Sequence, residues 1–128
     1  MLKRKTSSWI LLLGLLLAGP VLAQDRKEEL WAAASAGDVA KLKAMLDAGV
    51  DPNLANHYGG TALIFAARRG HLEAVKLLLE RGANPNARDT FYGGDVMTPL
   101  NVALRMQHLD VAGLLIDKGA EGENQEPR

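Results

Sequence analysis

The sequence predicts an all-α repeat fold, a solenoid of three helix-turn-helix units with finger loops, preceded by a signal peptide. The run Leu-Trp-Ala-Ala-Ala-Ser-Ala-Gly-Asp from Leu30 is answered by Leu-Ile-Phe-Ala-Ala-Arg-Arg-Gly-His from Leu63. Gly37 and Gly49 recur at the same step as Gly70 and Gly82. Thr61 and Gly82 then recur as Thr98 and Gly119, the same step with four residues inserted. A fixed period of this size marks a stack in which each unit buries its apolar face only against its neighbours.

The segment 1–23 is of a different kind. Lys3, Arg4 and Lys5 precede an apolar run from Trp9 to Ala18, Gly19-Pro20 breaks it, and Val21-Leu22-Ala23 offers small side chains where a signal peptidase reads. Cleavage after Ala23 is expected, because the run is about half of the roughly 20 apolar residues that span a bilayer. The chain has no cysteine, so a lipid-attached form of the bacterial kind is excluded and the product is expected in the periplasm or secreted. Stability must then come from packing, without the disulfides common in small exported domains. Losing Lys3, Arg4 and Lys5 leaves 12 basic against 15 acidic residues, a net charge of −3, a poor balance for nucleic-acid binding.

The segment 24–121 holds the repeats, in units of about 24–56, 57–89 and 90–121. The first unit lacks a threonine at its start, and Asp25-Arg26-Lys27-Glu28 has instead the spacing of a capping box. In the second unit Ala62 to Arg69 forms one helix and Leu72 to Arg81 the next. The stripe Leu72, Ala74, Val75, Leu77, Leu78, Leu79 is too wide for a helix covered on one side only, while Glu73, Lys76 and Glu80 face water. Thr61 and Thr98 stand where a hydroxyl can accept first-turn amides, and Pro99 takes the first helical position. Gly49, Gly82 and Gly119 end the second helices. Between units two and three, Thr90 to Met97 stands where Asn56 to Gly60 stands one unit earlier, so the insertion lies in a finger. The final segment, 122–128, is polar, has no apolar anchor and is expected to be disordered.

From Gly59-Gly60-Thr61-Ala62-Leu63 through Ala66-Ala67-Arg68-Arg69-Gly70-His71-Leu72-Glu73-Ala74-Val75-Lys76-Leu77-Leu78-Leu79 to Gly82-Ala83-Asn84-Pro85-Asn86-Ala87-Arg88-Asp89, the chain resembles the ankyrin-repeat family. The third unit keeps Thr98-Pro99-Leu100, Ala103, His108-Leu109-Asp110-Val111, Leu114-Leu115 and Gly119-Ala120, with Gln107 in place of the glycine between helices. A side chain there implies a strained turn, of order ~1 kcal/mol. The family's histidine after Thr-Pro-Leu is replaced by Ile64 and Asn101.

Nothing in the sequence assembles a catalytic site, so the protein is expected not to be an enzyme and to need no cofactor or metal. His71 and His108 occupy matching places at the start of second helices, with Asp38 in the same place of unit one, a repetition that reads as structural. Asp47, Glu80 and Asp117 fall late in helices and read as solvated charge. Gly59-Gly60 and Gly93-Gly94 lack the lysine of a phosphate loop and read as finger tips with positive φ.

What remains is a binding surface. The resemblance implies that a protein partner is held by the finger tips and the exposed ends of the first helices, here His57, Tyr58, Arg68, Arg69, Phe91, Tyr92, Met97, Arg105 and Met106. Aromatic residues and arginine suit that role. On this reading Arg68→Glu with Arg69→Glu leaves folding unchanged and removes partner binding. The resemblance extends to small bacterial periplasmic ankyrin proteins, some associated with peroxide protection through a partner catalase. An immunity protein that blocks a toxin enzyme and a structural adaptor between envelope proteins are the alternatives. A monomer is expected, with no nucleic acid and no stable membrane insertion.

Overall fold

The computed structural model describes residues 26–120, apart from the side chain of Tyr92. The segment 1–23 with the cleavage expected after Ala23, the expected capping residue Asp25 and the tail 122–128 lie outside the described residues. Three helix pairs follow one another: α1 (26–36) and α2 (Val39–Asp47), α3 (Ala62–Arg69) and α4 (Leu72–Glu80), α5 (Pro99–Arg105) and α6 (Leu109–Asp117). One hairpin, β1 (Asp89–Tyr92) with β2 (Asp95–Met97), lies between α4 and α5. It forms the longer finger, whereas the finger between α2 and α3 carries a single bridge, Ala55 to Thr61. The inserted residues therefore supply strand pairing that the shorter finger lacks.

The helices form two layers. First helices pack on first helices, as α3 on α5, and second helices form a row in which α4 lies between α2 and α6. The wide stripe of α4 follows from that position: Ala74, Val75 and Leu78 are fully buried, and Leu72, Leu77 and Leu79 are packed against the core from its flanks. Between first helices the seam is made of small side chains, Ala33 and Ala34 in α1, Ala66 and Ala67 in α3, and Ala103 in α5, which lets helix surfaces approach closely. Leu104 stands where Ala34 and Ala67 stand in the earlier units, and it is exposed, as are Leu109 and Ile116. Among the described residues nothing stacks on the outer face of α5 and α6.

Polar bonds repeat with the same period. His71 and His108 open α4 and α6 without a capping bond from the side chain. Their rings reach back instead to the preceding unit, His71 Nε2 to the carbonyl of Ser35 at 2.9 Å and His108 Nε2 to that of Arg68 at 3.1 Å. Each ring lies over a glycine: a Cβ on Gly37 would stand 2.6 Å from His71 Nδ1, and one on Gly70 would stand 2.5 Å from His108 Nδ1. Those glycines also take φ of +72° and +73°. Gln107, with no such ring above it, adopts φ 62°, the strained turn expected from its sequence. Asp38, in the matching place of unit one, caps α2 by accepting from Lys41 N at 3.1 Å.

Asparagines tie the loops below the second helices. Asn53 Nδ2 donates to Gly82 O at 2.9 Å while its Oδ1 accepts from Asn84 N at 2.7 Å, and one repeat on Asn86 Nδ2 donates to Gly119 O at 3.3 Å. Asp47 joins α2 to the end of α4, bonded to Lys43 at 2.9 Å and Arg81 at 2.6 Å. These bonds, from Lys43 first and Arg81 second, hold its carboxyl below the usual aspartate range.

Two local expectations need correction. Thr98 does cap α5, accepting from Asn101 N at 3.1 Å, but the Thr61 hydroxyl makes no capping bond and is buried without a partner. Of the finger glycines, Gly59, Gly93 and Gly94 have positive φ, whereas Gly60 does not. Gly60 is instead buried, with Asn56 and Asp89 so close to its Cα that a Cβ would stand 2.8 Å and 3.0 Å from them.

Candidate protein-binding surface

The two fingers are built on the same turn. Asn56 Oδ1 accepts from Tyr58 N at 3.0 Å and from Gly60 N at 2.8 Å, and in the next unit Asp89 Oδ1 accepts from Phe91 N at 2.9 Å. Such a turn fixes the backbone two residues on, and in both fingers the residue two on is aromatic. The Tyr58 and Phe91 rings consequently meet edge to face, with centroids 4.8 Å apart. The fingers are joined behind them by Thr90, whose N–H and hydroxyl both donate to Tyr58 O, at 2.9 and 3.2 Å.

Below these rings α3 presents Phe65 and Arg68. The Arg68 guanidinium carbon lies 5.6 Å from the centroid of Phe65, and Trp31 of α1 packs edge-on against the same ring at 6.2 Å. Trp31 is oriented by donating its indole N–H to Leu54 O at 2.9 Å. Between fingers and helix lies a hollow of about 190 Å³ lined by Asn56, Tyr58, Phe65, Arg68, Asp89 and Phe91. The Asp89 side chain is 2% exposed and Arg68 Nη2 stands 3.9 Å from its Oδ2. A buried carboxylate is tolerated when hydrogen-bonded and charge-compensated; the Phe91 N–H and Arg68 supply both.

Of the nine residues expected at the surface, seven fall into three groups. Tyr58, Arg68 and Phe91 line the hollow. His57 is exposed, its ring tilted by 41° against Tyr58 with centroids 4.0 Å apart, and Arg69 is exposed beside Arg68 on α3. Arg105 is bonded to Asp95 at 3.2 Å across the longer finger, and Met106 is exposed at the end of α5. Met97 is a correction: strand alternation turns it inward, and at 4% exposure it is part of the packing rather than of a contact surface. The side chain of Tyr92 lies outside the described residues.

Asn56, Phe65 and Asp89 complete the hollow and were not anticipated. For Asn56 and Asp89 the signal is the repeat itself, Asn56-His57-Tyr58 answered one unit later by Asp89-Thr90-Phe91. The position of Asp89 also overturns the expectation that Arg68→Glu leaves folding unchanged, since it would set a second carboxylate against a buried one. That objection does not reach Arg69 and Phe91, both of which are exposed.

Paired helices in two layers, with paired fingers framing an aromatic and arginine-lined hollow, define a helical-repeat binding scaffold. A family model described as ankyrin repeats in three copies matches residues 13–89 and 30–126, and the chain belongs to the ankyrin-repeat family. Ankyrin repeats are generally protein–protein interaction modules and generally non-catalytic. No curated protein matches the chain. Among the described residues no helix is long and apolar enough to cross a membrane.

Proposed function

We propose that the protein is a non-enzymatic binding module of the bacterial envelope, exported by its segment 1–23 and cleaved after Ala23. It acts as a monomer that holds one protein partner across the finger hollow, and the partner is an enzyme of peroxide protection such as a catalase. The observation that carries the binding role is the hollow framed by Tyr58, Phe65 and Phe91 with Arg68 in its wall. Aromatic residues and arginine in a concave site are the side chains that dominate binding energy at protein interfaces. The peroxide role rests on the resemblance to periplasmic ankyrin proteins alone.

The test is affinity capture of the mature chain from the native envelope fraction, beside an Arg69→Glu, Phe91→Ala variant, with captured proteins identified by mass spectrometry. One partner captured by the parent and lost with the variant supports the binding surface. Identical capture by both forms refutes it. Deletion of the gene is expected to raise sensitivity to peroxide; self-intoxication on deletion would point instead to an immunity protein, and neither phenotype to a structural adaptor.

A further inference from the structure

We infer that the outer face of α5 and α6 is a second docking surface, which takes an amphipathic helix of a protein partner, laid along α6 with a basic residue at its C-terminal end. None of the residues of this face lines the finger hollow. Its apolar side chains are Leu104, Leu109 and Ile116, exposed by 47%, 70% and 57%. In the two earlier units the matching places hold Ala34 and Ala67, Val39 and Leu72, Leu46 and Leu79. Those six are buried or packed against the core, because the helices of the next unit lie over them, as α5 lies on α3 and α6 on α4. Unit three therefore keeps the apolar side chains of an inner unit, with nothing over them among the described residues.

A repeat stack needs a polar outer face at each end, and the first unit has one. Glu29 and Lys41, half-exposed and 3.8 Å apart, stand where later units bury Ala62 and Pro99, Ala74 and Val111. A second copy stacked head to tail would bury that ion pair, at a desolvation cost. Residues 121–128 hold no leucine, isoleucine, valine, methionine or aromatic side chain that could cover the face.

Inside the stack the matching faces are covered by helices, and the end face continues that surface. Leu109 and Ile116 are two turns apart, about 10.5 Å along α6, so a helix of about three turns covers both. The charge of that helix follows from Asp47, which holds the Arg81 ending the next second helix at 2.6 Å and is bonded to Lys43 of its own helix. Asp117 stands in the matching place, exposed, with Gly113 where that lysine would be. It makes no ion pair among the described residues, so its charge is left for a base at the end of the incoming helix, where a cation also suits the helix dipole. Gln107 narrows the occupant further. Its side chain leaves the backbone where the rings of His71 and His108 lie over Gly37 and Gly70, so a helix that opens with histidine, as α4 and α6 do, does not fit.

The test uses a fluorescein-labelled peptide, Ser-Leu-Glu-Ala-Val-Lys-Leu-Leu-Leu-Glu-Arg-Gly, which copies residues 71–82 with serine for the histidine. A lactam joins its lysine to its second glutamate, both exposed positions of α4, and holds the helix that so short a peptide does not keep by itself. The peptide is expected to bind the full mature chain by fluorescence anisotropy. Leu109→Lys with Ile116→Lys, both at exposed positions, is expected to weaken it at least about tenfold by removing two apolar contacts, with an unchanged melting curve. Asp117→Lys is expected to weaken it about threefold and to strengthen by as much a peptide with glutamate in place of the arginine. No binding to the parent, equal binding to the Leu109→Lys, Ile116→Lys chain, or no reversal with Asp117→Lys overturns the inference. A doubled mass of the chain alone in sedimentation equilibrium also overturns it, by giving the face to a second copy. Phe91→Ala is expected to leave the peptide's binding unchanged; its loss there would place the peptide in the hollow instead, so the two surfaces are tested separately.

Discussion

Replacing Leu78 with aspartate is predicted to abolish cooperative unfolding. Leu78 is fully buried in α4, the second helix that lies between α2 and α6, so neither side offers a route to solvent. Truncating such a leucine to alanine costs about 2–5 kcal/mol, and a site closed on both flanks belongs toward the upper part of that range. Aspartate adds the cost of staying neutral at pH 7 in an apolar site. From a free carboxyl pKa near 4, that is about three pH units at about 1.36 kcal/mol each, or roughly 4 kcal/mol. The sum, about 8–9 kcal/mol, exceeds the lower half of the range of about 5–15 kcal/mol usual for a small domain, where a stack of only three units belongs. Far-UV circular dichroism against temperature is the assay, with Leu109→Asp as control. Leu109 is 70% exposed, and its substitution is expected to change stability by no more than about 0.5 kcal/mol. A sigmoidal melt of Leu78→Asp like that of the parent, or equal damage from Leu109→Asp, would refute the reasoning.

Three further outcomes are expected. Thr61→Val removes a buried hydroxyl without a partner and is expected to stabilise by up to about 1 kcal/mol, whereas Thr98→Val removes the cap of α5 and is expected to cost about 1 kcal/mol; urea titration of both reads the contrast. Gln107→Gly relieves a left-handed residue at φ 62° and is expected to raise stability by about 0.5 kcal/mol, the strain of order ~1 kcal/mol being offset in part by the freer unfolded chain; a lower melting temperature would contradict this. The Asp47 carboxyl is held below the usual aspartate range, so its stabilising contribution is complete above the unfolded-state pKa and is lost as pH falls through the lower folded-state value. NMR titration should show it protonating at lower pH than a free aspartate, with Lys43→Gln and Arg81→Gln each moving it back toward the ordinary value.

The helices were legible because their period and punctuation are local. Glycines at the repeat step, Thr98-Pro99 at a helix start and the wide apolar stripe from Leu72 to Leu79 are chemical signals within one or two turns, and α3, α4 and α5 lie where those signals put them. The role of His71 and His108 was only half legible. Repetition marks them as structural, but that their rings bond to the carbonyls of Ser35 and Arg68, above Gly37 and Gly70, depends on how one unit sits on the next.

The site was less legible for a similar reason. Tyr58, Arg68 and Phe91 stand out by residue type, and the hollow brings them together. Asp89 does not stand out, because a lone aspartate at a finger base reads as solvated charge. Its burial arises from Arg68 of α3, the Phe91 N–H and the close approach of Gly60, contacts drawn from two successive units of the stack. Met97 failed in the opposite direction: its residue type suits an interface, but the strand pairing that turns it inward is supplied by residues inserted into the finger.

The central claim is that partners dock at the finger hollow, and site-specific photo-crosslinking in the native cell tests it most directly. A benzophenone side chain placed at Phe91 should yield one discrete protein adduct, and the same group at Lys76, exposed on α4 in the opposite helix layer, should yield none. An adduct formed at Lys76 and absent at Phe91 would place the partner on the other layer and contradict the account.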